Sequence, residues 1–449
     1  MSDSLSSKAI SGSVWTTISN WLLKGTTILT TIIILRYLSV REYGIVQLIL
    51  SFFSFGILFN LSSFHDLFVA EMGIERGAST ERAKGLFIGY IKTQAIFGIL
   101  LWVIFFLAAP LFAPSGTEIY VRIVSFMFLL SPMRESLQLL FNVELKFREL
   151  AIFSVVEQTS RLIILITGLV WFEARISIVL LSTVLSQILA LLILTPTFTK
   201  IYARYKGIFH ARVSIISILL AHGKWGLFVS YVSNFNKTLR IWLVQVLLGT
   251  EAVGLYGVAS NLFSHTRSIL PISEVVSPII PQYKNIPDKL SIIVNKGIKY
   301  SMLGYVTLGL IGAIIFPPII KLLFPHFAES IPLYQLMLIG LIPHSLTIIL
   351  TPIFYAYRAQ KSLFFAYLRR IILTLIFLPV FIKLFGIFGI AIEFVLTALI
   401  FVLDRYFMAK KLLPEMRLSF SALIKFDDYD RVITSKLTTW LKKFSHITR

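Results

Sequence analysis

Arg36-Tyr37-Leu38-Ser39-Val40-Arg41-Glu42-Tyr43-Gly44 closes one long apolar run and opens the next. A second stretch of the same design, Leu248-Gly249-Thr250-Glu251-Ala252-Val253-Gly254-Leu255-Tyr256, follows about 210 residues later. Each reads as a helix end, a tight polar turn, and a glycine that opens the following helix. Repetition at this distance in an apolar chain predicts two duplicated lobes, and the basic connection Lys200–Arg212 lies between them.

Outward from these turns, apolar runs long enough to span a bilayer lie near 14–38, 44–69, 86–109, 118–141, 150–172, 175–197, 224–248, 254–279, 297–324, 331–355, 363–384 and 387–409. Each covers roughly 20 residues, enough for a hydrocarbon core of about 30 Å. The predicted fold is all-α and integral to the membrane, with about twelve transmembrane helices in two six-helix lobes around a central cavity. The lobes are predicted over 1–198 and 224–409, joined by a cytoplasmic connection over 199–223 and followed by a basic tail over 410–449. In the tail, Ile433, Leu437, Trp440, Leu441 and Phe444 share a helical face, which predicts an interfacial helix on an anionic leaflet. A solvated tail is the alternative.

Composition agrees. The chain has 449 residues, 57% of them hydrophobic and only 14% charged, with a mean hydropathy of +0.84. Soluble domains carry about 25% charged residues. The net charge of +20 does not indicate nucleic acid, because the cations fall in short clusters between apolar runs. Arg76, Arg82 and Lys84 follow the second run, Lys146 and Arg148 the fourth, Lys284 and Lys289 the eighth, and Arg358 and Lys361 the tenth. The alternate connections Ala109–Thr117 and Gly249–Gly254 carry none, and Arg36, Arg41, Arg175, Lys321 and Lys383 are the exceptions. By the positive-inside rule both termini are expected in the cytoplasm of a bacterial cell, with the chain multi-pass in the inner membrane. No cleaved signal segment is read at the N-terminus. The absence of cysteine excludes disulfides, thiolate metal sites and cysteine nucleophiles. No phosphate-binding G-x-x-x-x-G-K-[ST] loop, H-E-x-x-H or nucleophile elbow occurs, so neither an enzyme nor a bound cofactor is expected.

Charges at bilayer depth cost about 2.5–3.5 kcal/mol each on insertion scales, so they mark a protein interior or a wet cavity. The first run places Ser13, Thr17, Asn20, Lys24, Thr27 and Thr31 on one helical face. Snorkelling of Lys24 is the alternative to a cavity position. The seventh run places Ser230, Ser233, Lys237 and Arg240 on one face, with Asn234 beside it. The eighth adds Asn261, His265 and Arg267, then Glu274 as a partner for Arg267 and a bend at Pro271 and Pro278. The second contributes Asn60 and Asp66. Lys24, Lys237, Arg240 and Arg267 are therefore predicted to form a cationic cavity, with Asn20, Asn60, Asn234, Asn261 and His265 as its polar lining. Such a cavity calls for an anion, and phosphate suits Arg and Lys donors. Glu157 and Arg161, four residues apart, are predicted as an ion pair, as are Arg134 and Glu135. Asp66, Glu274, His344 and Glu393 are the candidate coupling groups.

The opening Ser13-Val14-Trp15, the turn from Arg36 to Gly44, and Gly254-Leu255-Tyr256-Gly257-Val258-Ala259 resemble the Wzx-type oligosaccharide (O-antigen) flippases. These belong to the multidrug/oligosaccharidyl-lipid/polysaccharide exporter superfamily. The resemblance implies two six-helix lobes forming a V whose cavity alternates between membrane faces. The implied substrate is an oligosaccharide unit linked to undecaprenyl diphosphate, for surface polysaccharide such as O-antigen, with cations of helices one, seven and eight at its diphosphate. It also implies contact with other polysaccharide-assembly membrane proteins and function as a monomer. Two rivals stand beside it. A multidrug antiporter of the same superfamily would need acidic cavity residues. A membrane polymerase or ligase would need a substantial external loop for its acceptor.

Overall fold

The computed structural model describes residues 21–60, 65, 68–69, 71–72, 80–203, 224–416 and 430–431. Among these there is no strand. The helices are α1 (21–37), α2 (Val40–Gly56), α3 (Thr80–Leu107), α4 (Glu118–Val143), α5 (Phe147–Trp171), α6 (Arg175–Tyr202) and α7 (Lys224–Leu248). They continue as α8 (Thr250–Ser268), α9 (Ile272–Gln282), α10 (Pro287–Leu323), α11 (Ser330–Leu338), α12 (Leu341–Ala356), α13 (Gln360–Phe385) and α14 (Phe388–Leu412).

Among the described residues, seven helices are individually long and apolar enough to cross a membrane, and α11 with α12, bent by 47°, makes an eighth. The helices that fall short include α7, α8 and α14. They hold Lys237, Arg240, Arg267, Glu393 and Arg405, so they fall short because of the polar and charged groups they bring inside. The expected bend in the eighth run falls at Pro271, which lies between α8 and α9, whereas Pro278 stays inside α9. The tenth run breaks at Gly340, where no break was expected. The ninth starts ten residues early and spans 37 residues. At 1.5 Å per residue it exceeds the hydrocarbon core by several turns.

The turn at residues 38–44 owes its shape to a capping box. Ser39 Oγ accepts from the Glu42 amide at 3.3 Å, and Glu42 Oε2 accepts from the Ser39 amide at 2.7 Å. Two amide donors at the start of α2 are thereby satisfied. Its repeat is built differently: Gly249, at φ 86°, takes a positive φ that glycine allows, and no side chain caps α8. The two following helices then cross on their glycines. A Cβ on Gly44 would collide with the Thr250 carbonyl oxygen, and one on Gly254 would collide with the Val40 carbonyl oxygen. Val40 and Gly44 of α2 thus stand toward Thr250 and Gly254 of α8 as the latter do toward the former. The contact is reciprocal, as a two-fold relation between the halves would make it.

In the first half α3 packs on α4, α4 on α6 and α5 on α6; in the second α7 packs on α13, α13 on α14, α8 on α11, and α12 on α10 and α14. The halves meet where α2 packs on α8 and α7. Buried apolar residues form one cluster within each half, around Phe141 and Ile353, and a third that joins them through Leu38, Tyr43, Val253 and Phe327. The outward surfaces stay apolar, as at Ile96, Leu192, Ile314 and Leu384, as lipid solvation requires.

Two exceptions to the charge pattern are explained locally. Arg36 Nη1 donates to the Leu323 carbonyl at 3.3 Å and Arg175 Nη1 to the Tyr37 carbonyl at 2.9 Å. Both cations sit at helix C-termini, where unsatisfied carbonyls and the helix dipole favour positive charge. In the tail, the predicted interfacial helix at 433–444 lies outside the described residues. Asp430 is described, and its buried carboxylate accepts from Lys296 at 2.9 Å, Lys299 at 2.6 Å and Tyr300 at 2.7 Å on α10.

Candidate cationic site

A cavity of about 720 Å³ opens within the second half, between α7, α8, α9, α12, α13 and α14. Its lining includes Lys237, Arg240, Arg267, Arg370 and Arg405, against one carboxylate among the described residues, Glu274. Tyr305, Tyr355, Tyr367 and Thr351 add hydroxyls. Lys237 also borders a 360 Å³ cleft between the halves, which Gln47, Ser51 and Ser54 of α2 and Asn234 of α7 line. It therefore stands at the junction of the inter-lobe cleft and the cationic cavity.

The expectation of one cavity shared by Lys24, Lys237, Arg240 and Arg267 needs correction. Lys24 is on the far side of the α8–α9 break. Its Nζ donates to the Ser268 carbonyl at 3.3 Å and it lines a separate, mainly apolar cavity of about 760 Å³ with His265, Ile269 and Phe316. Ser268, Pro271 and Glu274 border both cavities, so the broken helix is the wall between them.

Arg240 differs from the other cations. Its Nε and Nη2 donate to the Glu393 carboxylate at 2.9 and 3.2 Å. Thr374 Oγ1 donates to the same carboxylate at 2.8 Å, and both charged side chains are 3% exposed or less. Glu393 comes from α14, 153 residues away, so no reading of α7 alone could supply it. Glu393 is accordingly Arg240's counter-charge. Lys237, Arg267, Arg370 and Arg405 have no carboxylate within ion-pair distance among the described residues. That includes Glu274, the expected partner of Arg267.

The remaining candidates separate. Asn261 Nδ2 donates to Tyr43 Oη at 2.7 Å and ties α8 to α2. Asn60 is fully buried and donates to Ser131 Oγ at 2.9 Å, which ties it to α4 in the first half. Glu157 pairs with Arg134 at 3.4 Å. The expected Glu157–Arg161 and Arg134–Glu135 pairs are not formed; Glu135 faces His65 Nδ1 at 3.5 Å instead. Asn20 and Asp66 lie outside the described residues. His344 lines the cationic cavity with its ring 5.2 Å from that of Tyr305. Arg370 and Arg405, which the sequence reading did not place in the cavity, are the additions. Their signal was a cation on each of the last two spans, masked by Arg369 beside one and by Lys410 and Lys411 near the other.

An arrangement of several cations without contacting carboxylates, in an apolar frame, can hold an anion with multiple oxygens. Among the described residues no group of three His, Cys, Asp or Glu residues could hold a metal ion.

Comparison with known proteins fits this frame. The chain is similar to the inward-facing conformation of a multidrug resistance MATE family transporter of the MOP superfamily, at 12% identity over 88% of this chain and 95% of that one, with a TM-score of 0.75. It is similar to a MATE transporter, VcmN, of Vibrio cholerae at 14% identity over 94% and 99%, with a TM-score of 0.61. It is similar to the lipid II flippase MurJ in an inward closed conformation at 16% identity over 98% and 100%, with a TM-score of 0.58. No curated protein sequence matches it. The fold is therefore that of the exporter superfamily, as the helix-turn motifs implied. Residues 33–332, two thirds of the chain and both copies of the repeated turn, match a family described as "Polysaccharide biosynthesis protein", and the chain belongs to that family.

Proposed function

We propose that the protein is a flippase that moves an oligosaccharide linked to undecaprenyl diphosphate from the cytoplasmic to the periplasmic leaflet of a bacterial inner membrane. The observation that carries this reading is the cavity where Lys237, Arg267, Arg370 and Arg405 face one lining carboxylate among the described residues. A diphosphate cannot cross about 30 Å of hydrocarbon without counter-charge. The cavity supplies that charge, and its hydroxyls suit a sugar. The polyprenyl tail remains in lipid. Membership of a polysaccharide biosynthesis family supports the substrate class, and likeness to the fold of a lipid II flippase supports movement of a lipid-linked substrate.

In this reading both termini are cytoplasmic, and the lobes are those predicted, 1–198 and 224–409, with the connection between them cytoplasmic. Rocking of the lobes about the α2–α8 crossing would expose the cavity to each side in turn. The chain acts as a transporter and not as an enzyme, on a lipid-linked substrate, as one copy. Deletion of the gene is expected to accumulate a single lipid-linked repeat unit on the cytoplasmic leaflet. Accumulation on the periplasmic leaflet would indicate a polymerase or ligase. Unchanged surface polysaccharide with altered drug resistance would indicate a multidrug exporter.

A further inference from the structure

We infer that the wall formed by α13 and α14 is a dedicated phosphoryl-binding subsite, with Arg370 as the direct donor and Arg405 as the charge behind it. Nothing in the repeated first helices of each lobe led to these residues. Arg405 is fully buried. Its Nη1 donates to Thr351 Oγ1 at 2.6 Å, while its Nε and Nη2 have no partner among the described residues. Arg370 Nε has none either. Both guanidinium groups rest on one aromatic ring: Phe401 lies 4.2 Å from Arg405 and 4.9 Å from Arg370.

Several cations of this half, though not Lys237 or Arg267, are neutralised within the fold. Arg240 has Glu393, Lys296 and Lys299 have Asp430, and Arg369 has Asp404. Arg370 and Arg405 stand apart from that pattern. Both line the cavity, and they lie within electrostatic reach of one another. A buried guanidinium without an anion is unfavourable, and a guanidinium stacked on an aromatic presents its N–H edge in a fixed plane. Phosphoryl oxygens match that edge in charge and geometry. The subsite rests on the flippase reading for its physiological ligand, the diphosphate of the transported lipid, but not for its existence.

The test uses the full chain in phosphatidylcholine nanodiscs, with inorganic pyrophosphate as the probe, by calorimetry and thermal unfolding. Wild type is expected to bind pyrophosphate and to be stabilised by it. Arg370→Gln and Arg405→Gln are each expected to weaken binding tenfold or more, and Arg405→Lys less. The control Lys289→Gln, an exposed position on α10, is expected to bind as wild type. Without pyrophosphate, Arg405→Gln is expected to unfold at or above the wild-type temperature, because it removes an uncompensated charge. A merely structural arginine would lower it.

The inference is overturned if wild type does not bind pyrophosphate, or if both glutamine variants bind it as wild type does. Should Arg405→Gln fail to fold, Arg370→Gln decides alone. Loss of pyrophosphate binding when phosphatidylglycerol is added would assign the wall to a bilayer headgroup and overturn its assignment to the transported lipid. Pyrophosphate binding that depends on these arginines, in a protein whose deletion leaves lipid-linked intermediates unchanged, would refute the flippase reading and leave the subsite standing.

Discussion

Arg240 and Arg267 line the same cavity and carry the same charge, yet their removal is expected to have different consequences. Arg240→Ala strips the counter-charge from Glu393, which is fully buried. Leaving a buried partner unpaired costs about 3–5 kcal/mol, so this variant is expected to lose folded protein from the membrane. Replacing both Arg240 and Glu393 by Met removes the unpaired charge and is expected to recover most of the thermal stability, as measured in detergent. Arg267→Ala and Lys237→Ala remove cations with no carboxylate in contact. They are expected to reach the membrane in wild-type amounts and to lose transport. Lys24→Ala separates two accounts: the sequence alone predicts that it abolishes export, whereas its place across the α8–α9 wall predicts a partial loss. Quantifying protein and exported polysaccharide in the same cells checks all of these.

At the scale of the element, the crossing of α2 and α8 holds the halves together. In lipid, packing rather than hydrophobicity drives helices together, and small residues permit backbone approach. Gly44→Ala and Gly254→Ala place a methyl against backbone oxygens, which cannot move aside as a side chain end would. Each is expected to lower the unfolding temperature and transport together. Because both glycines belong to one contact, the double variant is expected to cost less than the sum. At Gly226, on α7, an added methyl would meet nothing within 4 Å. Gly226→Ala is expected to be neutral, or stabilising by up to about 1 kcal/mol through helix propensity. Equal effects at Gly44 and Gly226 would contradict the role of the crossing.

Across the whole molecule, most of the architecture was legible in the sequence because a bilayer constrains it. Span length follows from solvent physics, and the repeated turn is local in sequence. Breaks were less legible: Pro271 announced one, while the break at Gly340 left a continuous apolar run. The site was only half legible. Lys237 and Arg267 could be read as charges on otherwise apolar helices. The neutralisation of Arg240 could not, since Glu393 reaches it from another part of the chain, and Arg405 was hidden near Lys410 and Lys411, where a cation ordinarily marks a helix end. Orientation is testable in the same terms. The chain has no cysteine, so a single introduced thiol reports alone. Ser115→Cys and Lys146→Cys lie in exposed loops at the two ends of α4. An impermeant thiol reagent applied from the periplasm is expected to label the first and not the second. The reverse pattern would invert the topology.

The central claim is movement of a diphosphate-linked oligosaccharide through a cationic cavity, and transport by the purified chain in proteoliposomes tests it most directly. A labelled polyprenyl-diphosphate oligosaccharide confined to one leaflet is expected to reach the other faster than in protein-free vesicles, and Arg267→Ala is expected to abolish the difference. No acceleration by the wild-type chain, or equal acceleration by Arg267→Ala, would contradict the account.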